Sequence, residues 1–505
     1  MPLMSLFRVV VAGLALSSAV EAASVPDSKL DLCQVVDRQL PGLVGFPNSD
    51  TYKKSQSAYY TENEREINPG CVFRPKSTND VSRFVGIAAN YDKRTKNASL
   101  DNPLFAVRSG GHTLWGGAAN APGSVTVDMR GFDSFALSAD KRVASIGGGS
   151  NFATVYPQAN AHNVTVIGGR VPGVAAGGFL SGGGKNFWSR RHGFGCDNVY
   201  GYEVVLASGK VVYASASQNR DLWLALKGGS NNFGIITRYD LATYPLDLMW
   251  GGTTQLNYTP AVLDAEAQAF SDFMLPENFD DDADVGVLLG FASGNFFILN
   301  TLFYSAPVPD PKCLANFTSI AGITTRSVNL TTVAERVEED GAIVPLSVPR
   351  SFELVYSFHN ADAATYRQHM QIYQDEVSKI KSVDGLQMQY LLQPMPVTNG
   401  TNVLGVPANA RDLAMWVLTG LWNKPADDKT VENALKSIVD QSERLLKKKN
   451  LLIDFKYLNY ADISQDPIST YGRENIKFLW ATSKKYDPNG LWQKRVPGIK
   501  LPKKY

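Results

Sequence analysis

The chain has 505 residues, of which 44% are hydrophobic and 19% charged. At about 150 residues per domain, this length and composition predict a globular protein of two or three domains. The formal net charge of +1 gives no electrostatic reason to expect nucleic acid or an anionic membrane as a partner. The 43 glycines form local clusters without a three-residue period, which excludes a collagen-like chain.

Residues 1–22 have the pattern of a secretory signal peptide. Arg8 provides a positive charge, an apolar run extends from Val9 to Val20, and Val20-Glu21-Ala22 forms a small-residue cleavage pattern. The run is shorter than the roughly 20 residues that a helix needs to cross a bilayer. Asn-X-Ser/Thr sequons agree with a secretory compartment, and they begin at Asn97, Asn163, Asn257, Asn316, Asn329 and Asn399. We therefore expect a secreted or vesicular protein without a membrane span.

After an N-terminal arm (residues 23–66), residues 67–247 predict short strands separated by glycine-rich turns. The predicted strands are Ser124–Asp128, Val143–Ile146, Tyr202–Leu206 and Lys210–Tyr213, and the predicted helices are Asp80–Tyr91 and Phe152–Ala161. No strand leads into a G-x-G-x-x-G turn and a helix, so a Rossmann domain is excluded. A Walker A pattern is also missing. Any dinucleotide must be bound in another way.

Residues 248–450 alternate strand-like runs with long amphipathic helices. The predicted strands are Val285–Leu289, Phe296–Asn300 and Leu413–Leu418, and the predicted helices are Ala261–Met274, Asp362–Lys381 and Lys429–Lys448. This pattern indicates a second α+β domain, in which a sheet has helices on one face.

The run Arg108-Ser109-Gly110-Gly111-His112 follows a strand-like segment and is the most informative stretch of the chain. Adjacent glycines allow positive φ and close backbone approach, and the N–H groups of such a turn can bind a phosphate. Similar clusters occur at 147–149, 177–184 and 228–234. A single cluster is usually a plain turn. Four clusters beside apolar strands predict a backbone wrapped around a large, phosphate-bearing ligand.

Further motifs accompany this run: Val171–Gly178, Ser181–Gly184, Gly195–Val199, Phe233–Thr237 and Tyr457–Asp462. As a set, they resemble the FAD-linked oxidases of the berberine bridge enzyme type, within the wider vanillyl-alcohol-oxidase family of PCMH-type flavoproteins. The resemblance implies an α+β fold with a two-part FAD-binding domain at 67–247. It also implies a substrate domain at 248–450, with an antiparallel sheet covered by helices, and a segment at 451–505 that returns to the FAD domain.

The resemblance implies FAD as the cofactor, bound covalently through His112, whose imidazole can act as a nucleophile. Many relatives add a second bond through a cysteine, but Val171 stands at that position, so the link is expected to be single. The implied cofactor-binding residues are Arg108, Ser109, Gly110, Gly111, His112, Val171, Gly173, Val174, Gly177, Gly178, Ser181, Gly182, Gly183, Asp197, Asn198, Ile236 and Asn459. Val174 falls where relatives control oxygen access, and its small side chain favours an oxidase over a dehydrogenase.

The run Tyr457-Leu458-Asn459-Tyr460 forms the predicted catalytic group. Read as a strand, it directs Tyr457 and Asn459 to one side and Tyr460 to the other. The resemblance assigns Tyr460 as the base and Asn459 as a support, with Tyr457 beside them. A phenol needs a nearby positive charge or hydrogen bonds to act as a base near neutral pH, and the sequence does not identify that helper. Glu353 or Gln393 could instead line the pocket.

Cysteine usage fits a secretory lumen. Cys33 and Cys71 flank the start of the folded region, and the resemblance implies a disulfide between them. Cys196 and Cys313 lie in different predicted domains and are expected to be unpaired. A metal site is not expected, because no C-x-x-C pair exists and the five histidines are scattered.

The predicted function is oxidation by FAD of a small alcohol or a secondary-metabolite intermediate, with O₂ reduced to H₂O₂. One alternative is a carbohydrate oxidase, in which Trp416, Trp422 and Tyr390 would stack on sugars. A second is a flavin-retaining binding protein with little turnover. A third possibility is that oxidation leads into a cyclisation in the same pocket.

Overall fold

The computed structural model describes residues 30–95 and 99–503. The predicted signal peptide at 1–22 and the sequon at Asn97 lie outside these residues. The N-terminal arm contains three helices, α1 (Leu32–Gln39), α2 (Asp50–Gln56) and α3 (Glu62–Arg65). The predicted disulfide is confirmed, because Cys33 is bonded to Cys71 with 5.9 Å between their Cα atoms.

A first sheet has four strands in the order β1-β2-β4-β3. The strands are β1 (Val44–Gly45), β2 (Cys71–Phe73), β3 (Phe105–Arg108) and β4 (Val125–Asp128). Strands β2 and β3 run parallel to β4. Helix α4 (Thr78–Thr95) covers this sheet, since its apolar side chains share a buried cluster with those of β2 and β3.

A second sheet has six antiparallel strands. They are β5 (Phe135–Leu137), β6 (Val143–Gly147), β7 (Val164–Val166), β8 (Val199–Val205), β9 (Val211–Ser215) and β10 (Ile235–Pro245). The helices connecting them are α5 (Phe152–Asn160), α6 (Ala176–Ser181), α7 (Ser189–His192) and α8 (Arg220–Ala225). Each of the predicted glycine clusters is a loop or a helix start at the edge of these two sheets.

A third sheet is fully antiparallel, in the order β14-β11-β13-β12-β16-β17-β15-β18. Its strands are β11 (Met249–Leu256), β12 (Ala283–Ala292), β13 (Asn295–Tyr304), β14 (Ile323–Thr331), β15 (Arg350–His359), β16 (Gln387–Pro394), β17 (Leu413–Trp422) and β18 (Leu452–Ile453). The helices of this region are α9 (Pro260–Phe273), α10 (Ala315–Thr318), α11 (Val333–Ile343), α12 (Ala363–Ile380) and α13 (Asp428–Lys448). Helices α9, α12 and α13 bury their apolar sides on one face of the sheet. The predicted α+β fold, with helices over an antiparallel sheet, is confirmed.

Long amphipathic helices were the elements predicted most closely, with ends within one or two residues of the observed ones in α9, α12 and α13. The predicted strands of the third sheet were too few, and β16 shows why, because its first half alternates buried and exposed polar positions without an uninterrupted apolar run. In β16, Met388 and Tyr390 are buried, whereas Gln387 and Gln389 are exposed. Such alternation is typical of a strand with two different faces.

The C-terminal residues form helices α14 (Arg473–Tyr486) and α15 (Leu491–Arg495). Trp492 of α15 packs into the core of the first sheet, and Ile499 and Leu501 are buried beside the second. The prediction of a strand at 457–460 is wrong, since Leu458–Tyr460 forms one turn of 3-10 helix. This turn changes the directions of the two tyrosines.

Removing the disulfide tests its contribution to stability. Because the cross-link restricts the unfolded chain, we expect Cys33→Ser with Cys71→Ser to lose about 2–4 kcal/mol of unfolding free energy. Urea unfolding followed by tryptophan fluorescence measures this loss. Cys313→Ser is the matched control, because Cys313 is unpaired and only half-buried. Equal losses in both variants would contradict the assignment.

Candidate active site

Loops from both halves of the molecule enclose a cavity of about 470 Å³. One wall consists of glycine loops that belong to the first two sheets, together with Gly498 and Ile499 near the C-terminus. The opposite wall is formed by Glu353, Gln389 and Thr419 of the third sheet. These three residues form one cross-strand row, because Thr419 of β17 is in register with both of the others. Concave sites between domains are common ligand sites.

The hydroxyl of Ser109 ties three glycine loops together. It donates to the carbonyl oxygen of Gly148 at 2.8 Å and accepts from the N–H of Gly177 at 3.1 Å. A Cβ at Gly177 would come within 2.5 Å of the Ser109 Cβ, and one at Gly110 within 2.7 Å of the Gly173 carbonyl oxygen. A Cβ at Gly178 would meet no atom within 4 Å and would project into the cavity. This wall is therefore bare backbone that fits a large, phosphate-bearing cofactor.

His112 lies at this wall, and its ring stacks on Tyr60 with 3.8 Å between centroids and 13° between planes. Burial lowers the pKa of His112 to about 4, so the imidazole is neutral near pH 7. Gly111 has φ of +72°, and a Cβ at Gly173 would lie 3.0 Å from the His112 Cδ2 atom. These two glycines allow the His112 ring to lie in this position. Its neutral nitrogen can act as a nucleophile.

Tyr460 faces the cavity and has a cationic partner that the sequence did not reveal. The guanidinium of Arg170 donates to the Tyr460 hydroxyl oxygen at 2.9 Å and to Gln393 Oε1 at 3.3 Å. Arg170 also lines the cavity. A guanidinium that donates to an oxygen stabilises negative charge on it. Arg170 is thus a cationic hydrogen-bond partner of the Tyr460 hydroxyl.

Tyr457 packs against Tyr460, with 4.9 Å between their ring centroids, but it does not line the cavity. Its buried hydroxyl accepts hydrogen bonds from the N–H groups of Gly184 at 2.8 Å and Lys185 at 2.7 Å. Asn459 does line the cavity, and its amide donates to Tyr457 and to the Phe179 carbonyl oxygen. Tyr457 thus fixes the loop before α7.

Two further ionisable groups belong to the cavity wall. Lys185 is fully buried and forms an ion pair with Asp284 of β12 at 2.6 Å, while burial lowers the pKa of Lys185 to about 8. Glu353 accepts from the Thr419 hydroxyl at 2.7 Å, and burial raises the pKa of Glu353 to about 8. Glu353 is therefore mainly protonated at pH 7 and can donate a hydrogen bond or, once ionised, accept a proton.

Six predicted cofactor contacts do not line the cavity: Arg108, Gly173, Gly182, Gly183, Asp197 and Asn198. Arg108 is directed the other way. Its guanidinium donates to the Ser55 and Ala58 carbonyl oxygens and lies 3.7 Å from the Tyr59 ring centroid, which anchors the N-terminal arm. Gly182 instead leaves space for another side chain, because a Cβ there would overlap the Asn459 Oδ1 atom at 1.8 Å.

Asp197 and Asn198 stabilise loops. The Asp197 carboxylate accepts from the Phe194 N–H at 3.0 Å and from the Asn402 amide at 2.6 Å. The Asn198 amide donates to carbonyl oxygens of the preceding loop. A Cβ at Gly183 would lie 2.9 Å from the Tyr457 ring, so this glycine also admits a neighbouring side chain.

The remaining predicted contacts line the cavity: Ser109, Gly110, Gly111, His112, Val171, Val174, Gly177, Gly178, Ser181, Ile236 and Asn459. Cys196 and Cys313 are unpaired, as predicted. The predicted sugar-stacking residues are elsewhere, because Trp416, Trp422 and Tyr390 are buried under the helices on the other face of the third sheet. Gln393 is buried and reaches the site only through Arg170.

Sequence reasoning missed Tyr60, Arg170 and Lys185. Arg170 directly precedes Val171, so the motif that identified the valine could have drawn attention to it. Lys185 follows the last glycine cluster in the same way. Tyr60 lies in the N-terminal arm, and no local pattern connects it with His112.

The other predictions concern a membrane span, the sequons and a metal site, all of them away from the cavity. Among the described residues, no helix combines the length and apolarity needed to cross a membrane. The described sequon asparagines, at 163, 257, 316, 329 and 399, are all exposed. Asp280, Asp281 and Asp282 lie close enough together to bind a metal ion, but Arg191 already pairs with the last two.

Comparison with known proteins agrees with this geometry. Residues 69–215 match a family described as an FAD binding domain. An FAD-dependent monooxygenase of Cochliobolus heterostrophus is 32% identical and covers 90% of this chain and 88% of its own. The fold resembles 6-hydroxy-D-nicotine oxidase of Arthrobacter nicotinovorans, with TM-score 0.75 and 19% identity over 91% of this chain and 97% of that one.

A glucooligosaccharide oxidase of Acremonium strictum, which carries a 6-S-cysteinyl, 8α-N1-histidyl FAD, also shares the fold. Its TM-score is 0.72 at 17% identity, and the match covers 94% of this chain and all of that one. At such identities these two solved structures are evidence for the fold alone. The match to the FAD binding domain, the FAD-dependent relative and the bare-backbone cavity wall together identify the cofactor as FAD. The chain belongs to the family of FAD-dependent oxidoreductases that contains this relative, and its fold is that of the berberine-bridge-enzyme-like proteins.

Proposed function

We propose that the protein is a secreted FAD-dependent oxidase that takes hydride from a C–H bond of a small alcohol or secondary-metabolite intermediate and reduces O₂ to H₂O₂. One observation supports this proposal most. A single cavity is lined on one side by His112 and the glycine loops and on the other by ionisable groups suited to move a proton, Tyr460 and Glu353. The exposed sequons and the Cys33–Cys71 bond support secretion.

Bound FAD supplies the redox chemistry, because its ring accepts the hydride and returns two electrons to an acceptor. The protein contributes position and electrostatics. The loops tied by Ser109 would hold the dinucleotide, and neutral His112 would bond to its ring. Val171 has no thiol, so we propose a single covalent link, unlike the doubly linked flavin named for the Acremonium strictum oxidase.

Proton removal is assigned to Tyr460. Its oxygen receives a hydrogen bond from Arg170 at 2.9 Å, which stabilises the phenolate that forms when the proton of a substrate O–H is taken up. Glu353 is the second candidate, because it faces the same cavity. With its pKa raised to about 8, Glu353 would act as a base only at alkaline pH.

An oxidase reduces O₂ to H₂O₂, whereas a monooxygenase inserts an oxygen atom into its product. The Cochliobolus heterostrophus relative is named a monooxygenase, which makes oxygen insertion the main rival. A carbohydrate oxidase is less favoured, since the residues expected to stack on sugars are buried in the core. A binding protein without turnover would leave the flavin oxidised in the presence of every candidate substrate.

One experiment separates these alternatives. Holoprotein is mixed anaerobically with a panel of alcohols, sugars and aromatic polyketide intermediates, and flavin bleaching at about 450 nm reports hydride transfer. The reduced protein is then exposed to ¹⁸O₂. We expect stoichiometric H₂O₂ and no label in the product. Label in the product would establish a monooxygenase, and no bleaching with any compound would contradict an enzyme acting on these classes.

The covalent link is tested by denaturation. Acid-precipitated wild-type protein should stay yellow, because the flavin is bonded to His112. His112→Ala should release its flavin or fail to bind it. Free FAD in the wild-type supernatant would disprove the link, and a flavin peptide that contains cysteine would disprove its single nature.

Oxygen access is tested at Val174, which lines the cavity. We expect Val174→Leu to slow reoxidation of the reduced flavin strongly and to leave its reduction by substrate largely intact, because the larger side chain obstructs the oxygen path. Stopped-flow absorbance measures both half-reactions. Equal effects on the two would mean that Val174 only packs the loop.

The proton acceptor is tested with Tyr460→Phe, which keeps the ring and removes the hydroxyl. If Tyr460 is the base, the rate of flavin reduction should fall by about 10²–10⁴-fold. Tyr457→Phe is the matched control. Two buried N–H groups would lose their acceptor, so we expect a loss of about 1–3 kcal/mol in stability and a much smaller loss in rate.

Glu353→Gln completes this test. A raised pKa keeps Glu353 protonated below about pH 8, so a base function would make the reduction rate increase through pH 8. If Tyr460 is the base, Tyr460→Phe abolishes fast reduction at every pH. If fast reduction survives in Tyr460→Phe and its alkaline increase is lost in Glu353→Gln, the proton acceptor is Glu353.

A further inference from the structure

Arg170 carries a positive charge in the cavity wall that no carboxylate neutralises directly. Its hydrogen-bond partners within the described part of the chain are the Tyr460 hydroxyl and Gln393 Oε1, and neither is a carboxylate. None of the ion pairs among residues 30–95 and 99–503 includes Arg170. The guanidinium is thus hydrogen-bonded, but no carboxylate of the described residues pairs with it directly. Its pKa is nevertheless raised against the effect of burial, by Tyr460 and by the charge of Asp284.

Two carboxylates, those of Asp284 and Asp340, interact electrostatically with Arg170, but neither forms an ion pair with it. Asp284 is bonded to Lys185 Nζ at 2.6 Å, so this buried pair is neutral as a whole. Asp340 of α11 interacts with both Arg336 and Arg170, but it lies beyond ion-pair distance of Arg170 and does not line the cavity. Burial raises the pKa of Asp340 to about 6.

The other ionisable groups of the cavity add no compensating charge at neutral pH. His112 is neutral because burial lowers its pKa to about 4. Glu353 is mainly protonated because burial raises its pKa to about 8, and its carboxyl is bonded to Thr419. Among the described residues that line the cavity, Arg170 is thus the cation that has no carboxylate in direct contact.

A guanidinium that faces a cavity without a carboxylate in direct contact can form charge-assisted hydrogen bonds to a ligand of opposite charge. A guanidinium is planar and donates two parallel hydrogen bonds, which suits a conjugated oxyanion such as a carboxylate or a phenolate. Neither a neutral alcohol nor a sugar would balance the charge. The cavity is thus electrostatically complementary to an acidic compound.

We propose that Arg170 binds an oxyanion of the substrate, so that the protein oxidises acidic molecules carrying a carboxylate or a phenolate rather than neutral alcohols or sugars. This inference rests on the proposed function, because it takes the cavity as the substrate site. Arg170 would then serve both the substrate anion and Tyr460. It would hold the acidic group beside the residue that removes the proton.

Benzoate and benzamide test this proposal, since they have the same shape and differ in charge. Each is titrated into FAD-loaded protein at about pH 6.5, where Glu353 is protonated, and the flavin difference spectrum gives Kd. We expect benzoate to bind at least tenfold more tightly than benzamide. Phenolate binding is tested with 4-nitrophenol, whose ionisation shifts its own absorbance, so binding of the anion is visible directly.

Arg170→Gln should remove the preference for benzoate, and Arg170→Lys should retain part of it, because a lysine keeps the charge without the planar fork. Arg191→Gln is the matched control, since Arg191 lies outside the cavity and pairs with Asp281 and Asp282. Equal binding of the two ligands by wild type overturns the proposal, and so does a preference that persists in Arg170→Gln. If Arg170→Gln does not fold, the wild-type and Arg170→Lys affinities still decide.

A different outcome would assign the charge to the cofactor. If Arg170→Gln weakens sulfite addition to the flavin but leaves benzoate affinity unchanged, Arg170 stabilises negative charge on the flavin ring and the substrate proposal is wrong. Failure of the proposed function is distinguishable from this result. Benzoate preference with no flavin bleaching by any acidic compound would retain the anion site and contradict the oxidase.

Discussion

The Ser109 hydroxyl connects the loop that carries His112 to the loops at Gly148 and Gly177. A Cβ at Gly177 would collide with the Ser109 side chain, and one at Gly110 with the Gly173 carbonyl oxygen, so a substitution at either glycine would force these loops apart. The cofactor wall therefore exists only while this contact holds. The loop that carries His112 depends on the same hydrogen bonds.

The opposite end of the cavity depends on a contact between segments that are far apart in sequence. Tyr457 accepts from two N–H groups at 184 and 185, and this places Asn459 and Tyr460 at the cavity. The same loop supplies Lys185, whose ion pair with Asp284 attaches it to the third sheet. The FAD-binding loops, the substrate sheet and the C-terminal segment thus meet at one buried junction.

Much of this arrangement was predictable because its signals are local. Glycine clusters, His112 and the long helices can be read from adjacent residues, and the disulfide followed from the family resemblance. The predictions failed at positions where the function of a residue depends on the direction of its side chain. Arg108 stands in the motif but is directed toward the N-terminal arm, whereas Arg170 had no pattern of its own and bonds to Tyr460. A 3-10 turn stands in place of the expected strand, and it places Tyr460, but not Tyr457, at the cavity. Such directions arise from tertiary packing between distant segments.

The two faces of the third sheet have different roles, one in the core and one at the cavity. Tyr390, Trp416 and the other large side chains of one face pack under the helices, while Glu353, Gln389 and Thr419 form a row on the face toward the cavity. Because neighbouring residues of a strand point to opposite faces, the cavity row can be exchanged without disturbing the helix-covered core. Evolution could therefore retune which molecules such a scaffold accepts at small cost in folding, and laboratory libraries confined to this row should yield mostly folded variants.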